Sequence, residues 1–150
     1  MLQIVNNHNL FYIDETVWIE GIEKVLNKMN IDKEVNIIFV NEQTIKDMNN
    51  QFINHDYVTD VISFENILDS PDFLGEIYIC IDQAERQGQE IGHSTAKELL
   101  ILVIHGILHL WGYDDQEEES RHIMFAKQDE LADFVYSEVG SELEKAIVRR

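Results

Sequence analysis

His105 and His109 stand four residues apart in the run His105-Gly-Ile-Leu-His109-Leu-Trp-Gly112-Tyr-Asp-Asp115. On a helix that spacing stacks the two side chains on one face, about 6 Å apart along the axis. Both imidazoles can then reach a single ion. Gly112 follows the second histidine and is placed to end the helix, because glycine takes the left-handed cap conformation at little cost. The chain can then turn back and present Asp114 or Asp115 to the same ion. Two imidazole nitrogens, one carboxylate oxygen and an open fourth position form the ligand set of a catalytic zinc-type site. A single histidine on an apolar helix is more often a satisfied core group. Two at this spacing, followed by glycine and an acid inside so apolar a run, favour a metal.

The helix that carries these histidines must be buried to hold them. Thr95 with Glu98 three residues later fits a capping box that opens it. Leu99 to Ile104, Ile107 and Leu108 make it apolar nearly all round, as expected of a central core helix. The preceding chain reads as strands and shorter helices. Leu2–Asn6 alternates like a strand, and Glu15–Met29 carries an amphipathic helical pattern. Val35–Val40 is a β-branched run suited to an interior strand. Asn41 can cap a helix bearing Ile45, Met48, Asn49 and Phe52 on one side. Two further strands are expected at Asp60–Phe64 and Gly75–Ile81, separated by a loop with the sole proline, Pro71. A short helix runs through Ala84 to Ile91 and breaks at Gly92-His93-Ser94. A last helix, from Glu117 to about Leu143, begins with acids that favour a helix N-terminus. The chain therefore reads as α/β (α+β), with one mixed sheet and helices around a buried central helix.

Composition narrows the function. At 150 residues and 45% hydrophobic content, one domain spanning residues 1–150 is expected. Cys80 is the only cysteine, so an internal disulfide is excluded, and a buried mid-strand thiol without a redox role is the simplest reading. No basic segment precedes an apolar one at the N-terminus, and the apolar run at 99–104 is too short to span a bilayer. The expected location is the cytoplasm. A net charge of −18 argues against broad binding of DNA, RNA or anionic membrane. Between Lys33 and Arg121 the only basic residues are Lys46, Arg86 and Lys97. Any nucleic-acid contact must be local, at the metal. His8, His93 and His122 stand alone and read as surface or capping groups, while Met124 and Phe125 read as core.

The run from His105 to Asp115 resembles the signature of the YbeY family of bacterial rRNA maturation factors, His-Gly-x-Leu-His-Leu-x-Gly-Tyr-Asp-His. Asp115 stands where the family has a third histidine. A second stretch, Phe52 to Phe64, is similar to the family's aromatic residue followed by Arg-x-x-Asp-x-Pro-Thr-Asp-Val-Leu-Ser-Phe. Asp56, Thr59, Asp60, Val61, Ser63 and Phe64 match, whereas Ile53 replaces the arginine and Val58 the proline. Gly75-Glu-Ile and Glu98-Leu also follow the family pattern.

The resemblance implies a zincin-like α/β fold, one zinc or other divalent ion per chain, and His105, His109 and, by position, Asp115 as its ligands. It implies a single-strand-specific endoribonuclease acting in small-subunit rRNA 3′-end maturation and ribosome quality control. Its partners would be single-stranded rRNA and the small ribosomal subunit or its assembly factors, with no DNA and no membrane. The family arginine that engages RNA has no counterpart at Ile53, and His55 reads as a solvated loop histidine. Zinc suits phosphodiester hydrolysis, since it acidifies water and polarises a phosphoryl oxygen. Metzincin-type peptidases share the His-x-x-x-His-x-x-Gly-x-x-Asp spacing but place a glutamate base directly after the first histidine. Gly106 cannot take a proton, which sets that reading below the nuclease. A third reading is a ribosome-assembly factor whose metal is structural and whose catalysis is lost. A nuclease requires an open metal position beside a groove, and a structural ion should have four protein ligands.

Overall fold

Residues 35–40 bury both of their faces, and this determines the layering of the molecule. In the computed structural model, which describes residues 2–53, 61–65 and 70–150, they belong to the strand β3 (Glu34–Val40). Val35, Ile37 and Phe39 point into the main core, while Ile38 and Val40 point into a smaller cluster on the opposite face. Before β3 come β1 (Leu2–Asn6), β2 (Phe11–Ile13) and α1 (Glu15–Lys28). After it come α2 (Glu42–Ile53), β4 (Val61–Glu65), β5 (Phe73–Cys80), α3 (Ile81–Ile91), α4 (Thr95–Leu110), α5 (Glu118–Lys145) and β6 (Ile147–Arg149).

The main sheet has the order β1-β3-β5-β4. Its first three strands run parallel, and β4 pairs antiparallel with β5 at the edge. The expected mixed sheet is present, with β3 in its interior. α1 and α4 cover one face, α2 lies against the other, and α5 packs on α4 and α1. Leu99, Leu100, Val103, Ile104, Ile107 and Leu108 of α4 are fully buried. At roughly 1.5–3 kcal/mol for each such side chain removed from water, this helix is a major source of the fold's stability. No single described helix is long and apolar enough to cross a membrane.

Several local expectations are corrected. The α4 cap is Ser94, not Thr95: its hydroxyl accepts from the Lys97 backbone N–H at 3.1 Å. Ser94 offers the same oxygen one residue earlier and is also held by the Tyr136 hydroxyl at 3.1 Å. Glu98, freed from capping, lies buried with a carboxylate oxygen 3.4 Å from His93 Nδ1. His8 is a buried group, not a surface one. Its Nδ1 accepts from the Leu10 N–H, so its Nε2 carries the proton toward Asp82 at 3.0 Å. Asp82 in turn accepts from the Glu42 N–H, joining the starts of α2 and α3. His122 is exposed beside Glu118, as expected.

A second sheet was not foreseen. β2 and β6 form an antiparallel ribbon that brings Phe11 opposite Arg149, with the guanidinium 4.7 Å from the Phe11 ring. Three-residue strands carry too little alternation to read, and their pairing depends on chain ends meeting only in the fold. Asn41 caps α2 as expected, its side chain accepting from the Thr44 N–H at 2.9 Å. Cys80 is buried, and burial pushes its thiol up to about 11.

Candidate metal centre

Leu108 to Tyr113 shows how the chain reverses after the second histidine. The Tyr113 N–H donates to the Leu108 carbonyl at 2.9 Å and the Gly112 N–H to the His109 carbonyl at 3.2 Å. This pair of bonds is a Schellman cap, and it requires a left-handed residue, which Gly112 supplies at φ 107°. The loop beyond then folds back along α4. Asp114 is not part of the cluster with the histidines; it accepts from the Gln116 N–H at 2.9 Å, closing a small turn. Asp115 turns inward. Of the two acids, Asp115 is the one brought to the imidazoles, and Asp114 shapes the loop.

The three side chains converge tightly. His105 Nε2 and His109 Nε2 are 3.2 Å apart, and Asp115 Oδ2 lies 3.4 Å from His109 Nε2 and 3.8 Å from His105 Nε2. Four ligands set tetrahedrally around a zinc at about 2.0–2.1 Å lie roughly 3.3 Å from one another. Two edges of the triangle match that spacing, and the third, at 3.8 Å, closes with a shift of about half an ångström. The donor set therefore fits a divalent metal ion. Among the described residues no other histidine, cysteine, aspartate or glutamate joins this group. The imidazoles are half-buried, and they open onto a cleft of about 390 Å³. Its walls are β4, through Val61, Ser63 and Glu65, and α4, through His105, His109 and Leu110.

Two residues behind the histidines were missed or misplaced by the sequence. Gln128 of α5, buried, has its Oε1 2.8 Å from His105 Nδ1. Phe125, read as core, is 41% exposed and stacks on the His105 ring at 6.1 Å with the planes 27° apart. Met124, its neighbour, is fully buried as expected. The only sequence hint of Gln128 is a polar residue on a face otherwise marked by Met124 and Leu131.

Gly106 has a packing reason as well as a chemical one. A Cβ there would sit 2.7 Å from Ile77 Cγ2 on β5. The absence of a side chain lets α4 approach the sheet, and a glutamate base at this position would have no room.

The family model for the endoribonuclease YbeY matches residues 3–135. The chain belongs to the YbeY family. A YbeY endoribonuclease of Ureaplasma urealyticum serovar 10 is 40% identical, the match covering 85% of this chain and 88% of that protein. Those of Acholeplasma laidlawii and Thermotoga petrophila are 41% and 42% identical, covering 80% and 82% of this chain and 88% and 81% of theirs. The solution structure of TM1509 from Thermotoga maritima superposes with a TM-score of 0.71 at 35% identity, covering 97% of this chain and 95% of the other. The YbeY-like second stretch is described only in part. Val61, Ser63 and Phe64 lie on β4, whereas His55, Asp56, Val58, Thr59 and Asp60 lie outside the described residues, as does the side chain of Ile53.

Proposed function

We propose that this chain, as one YbeY-like domain, is a metal-dependent endoribonuclease that cuts single-stranded RNA in small-subunit rRNA maturation and ribosome quality control. Its endoribonuclease relatives carry the activity class, and the convergence of His105, His109 and Asp115 at an open cleft carries the site. These three residues would hold one zinc or similar divalent ion. Such an ion supplies Lewis-acid polarisation of a phosphoryl oxygen and acidifies water. Here Asp115, in place of the family's third histidine, brings a negative charge to the site. The small ribosomal subunit and its assembly factors are the proposed partners, and the cytoplasm the proposed location.

The chain's own groups account for a preference for single strands. No lysine or arginine is found between Lys46 and Arg86, so β4 brings no permanent cation to the cleft. Arg86 pairs with Glu42 and Lys127 with Glu130. Lys46, Lys97 and Arg121 do not line the cleft either, so part of the binding energy would come from elsewhere. Trp111, 40% exposed at the start of the loop that delivers Asp115, lines a separate hollow with Gly112, Tyr113 and Asp114, and an unpaired base leaving the cleft would have its ring to stack on. Stacking of this kind is worth about 1–3 kcal/mol per base and is unavailable to a paired base inside a duplex.

The peptidase reading loses support, because the position of its base is occupied by a glycine packed on Ile77. The deciding experiment incubates the zinc-loaded protein with end-labelled single-stranded and duplex RNA. Cleavage of the single strand by wild type and not by His109→Ala is expected. Equal cleavage by both proteins would exclude this site as the source of the activity.

A further inference from the structure

The geometry points to Gln128 as the positioning residue that sets the tautomer of His105 before any metal arrives. This inference rests on the proposed ligand set and adds a residue to it that the metal does not touch. A neutral imidazole carries one N–H, and which nitrogen holds it is decided by the partner of the other. At His105 that partner is Gln128 Oε1, 2.8 Å from Nδ1. A carbonyl oxygen can only accept, so Nδ1 must donate. Nε2 is then left as a bare lone pair, aimed at His109 Nε2 and Asp115 Oδ2.

α5 also fixes the plane of the ring. Phe125 stacks against it one helical turn before Gln128, so the imidazole is gripped on its face and at its rear nitrogen. Gln128 is itself buried, and losing its partner would leave a polar group unsatisfied in the core. The amide is neutral, so it orients the ring without adding to the negative charge that Asp115 brings. No hydrogen bond of His109 Nδ1 is among those described; with His105 Nε2 bare, His109 Nε2 is the donor between the two rings in the metal-free protein and must give up that proton to ligate, so the two imidazoles are unequal.

The test uses the full chain, ¹⁵N-labelled at histidine and free of metal, above the titration range of imidazole. Two-bond ¹H–¹⁵N correlation spectra distinguish an Nδ1–H ring from an Nε2–H ring. Wild-type His105 should show Nδ1–H. Gln128→Met, close in volume but without an acceptor, should show mixed tautomers, and its affinity for Zn²⁺ by chelator competition should fall about 10–100-fold. Gln128→Glu keeps the acceptor and should retain both the Nδ1–H form and zinc affinity at or above that of wild type. An Nε2–H ring in wild type, or wild-type zinc affinity in Gln128→Met, would overturn the assignment. If Gln128→Met does not fold, the wild-type and Gln128→Glu spectra decide it alone. A wild-type protein with the Nδ1–H signature that binds no zinc would overturn the ligand set while upholding the hold of Gln128 on the ring.

Discussion

Gly106 and Ile77 touch so closely that a methyl group on residue 106 would lie 2.7 Å from Ile77 Cγ2. Ile77 is fully buried on β5 and has nowhere to move. Gly106→Ala should therefore destabilise the fold by about 1–3 kcal/mol through overpacking, despite alanine's better helix propensity. Ile77→Ala removes the obstructing methyl, so the double variant should be more stable than the sum of the single losses predicts. Strict additivity in denaturant titrations would show that the contact is not the cause.

Zinc content separates the two acids of the loop. His105→Ala, His109→Ala and Asp115→Ala should each lose stoichiometric zinc, since two remaining donors rarely hold it. Asp114→Asn should keep it, because that side chain serves the turn to Gln116. Asp115→His should also keep it. Full zinc occupancy in Asp115→Ala by elemental analysis would remove Asp115 from the site.

The Schellman cap couples loop geometry to stability. Gly112 has φ 107°, where any residue with a Cβ is strained. Gly112→Ala should cost about 1–2 kcal/mol, a fall in Tm of several degrees for a domain of this size. It should weaken zinc binding as well, because Asp115 hangs from the same loop. An unchanged Tm with unchanged zinc affinity would contradict the role of the cap.

Fluorescence can report on base stacking. The protein has two tryptophans: Trp18 is fully buried, and Trp111 is 40% exposed. Single-stranded RNA should quench the emission of wild type and leave that of Trp111→Leu unaltered, and Trp111→Leu should bind it about 5–150-fold more weakly. Quenching of equal size by duplex, or in the variant, would show that Trp111 does not contact the unpaired bases.

Burial pushes the Cys80 thiol up to about 11, so the folded protein holds that proton more tightly than the unfolded chain does. Between the ordinary thiol range and about pH 11, ionisation favours the unfolded state, and stability should fall as pH rises through this window. Cys80→Ala should lack that component of alkaline destabilisation. Thiol reagents at pH 8 should label Cys80 only in denaturant; rapid labelling of the native protein would contradict its burial.

Much of the candidate site's geometry was legible in the chain because its elements are local. Histidines four apart, a glycine to end the helix and an acid soon after depend only on helix pitch and cap geometry. The apolar run from Leu99 to Leu108 announced the burial of α4 by composition alone, and the β-branched run at Val35–Val40 announced an interior strand. What the sequence could not decide were the choices made by distant contacts. Asp115 rather than Asp114 faces the imidazoles because the Schellman turn and the Asp114–Gln116 bond set the direction of the loop. Gln128 and Phe125 reach His105 only because α5 packs back on α4, and no local pattern encodes that approach. His8 read as a surface group because Asp82, its partner, lies far along the chain and comes near only where the parallel strands end side by side. Periodicity and capping act over a few residues and can be read in order; hydrogen bonds between packed elements exist only once the core has brought those elements together.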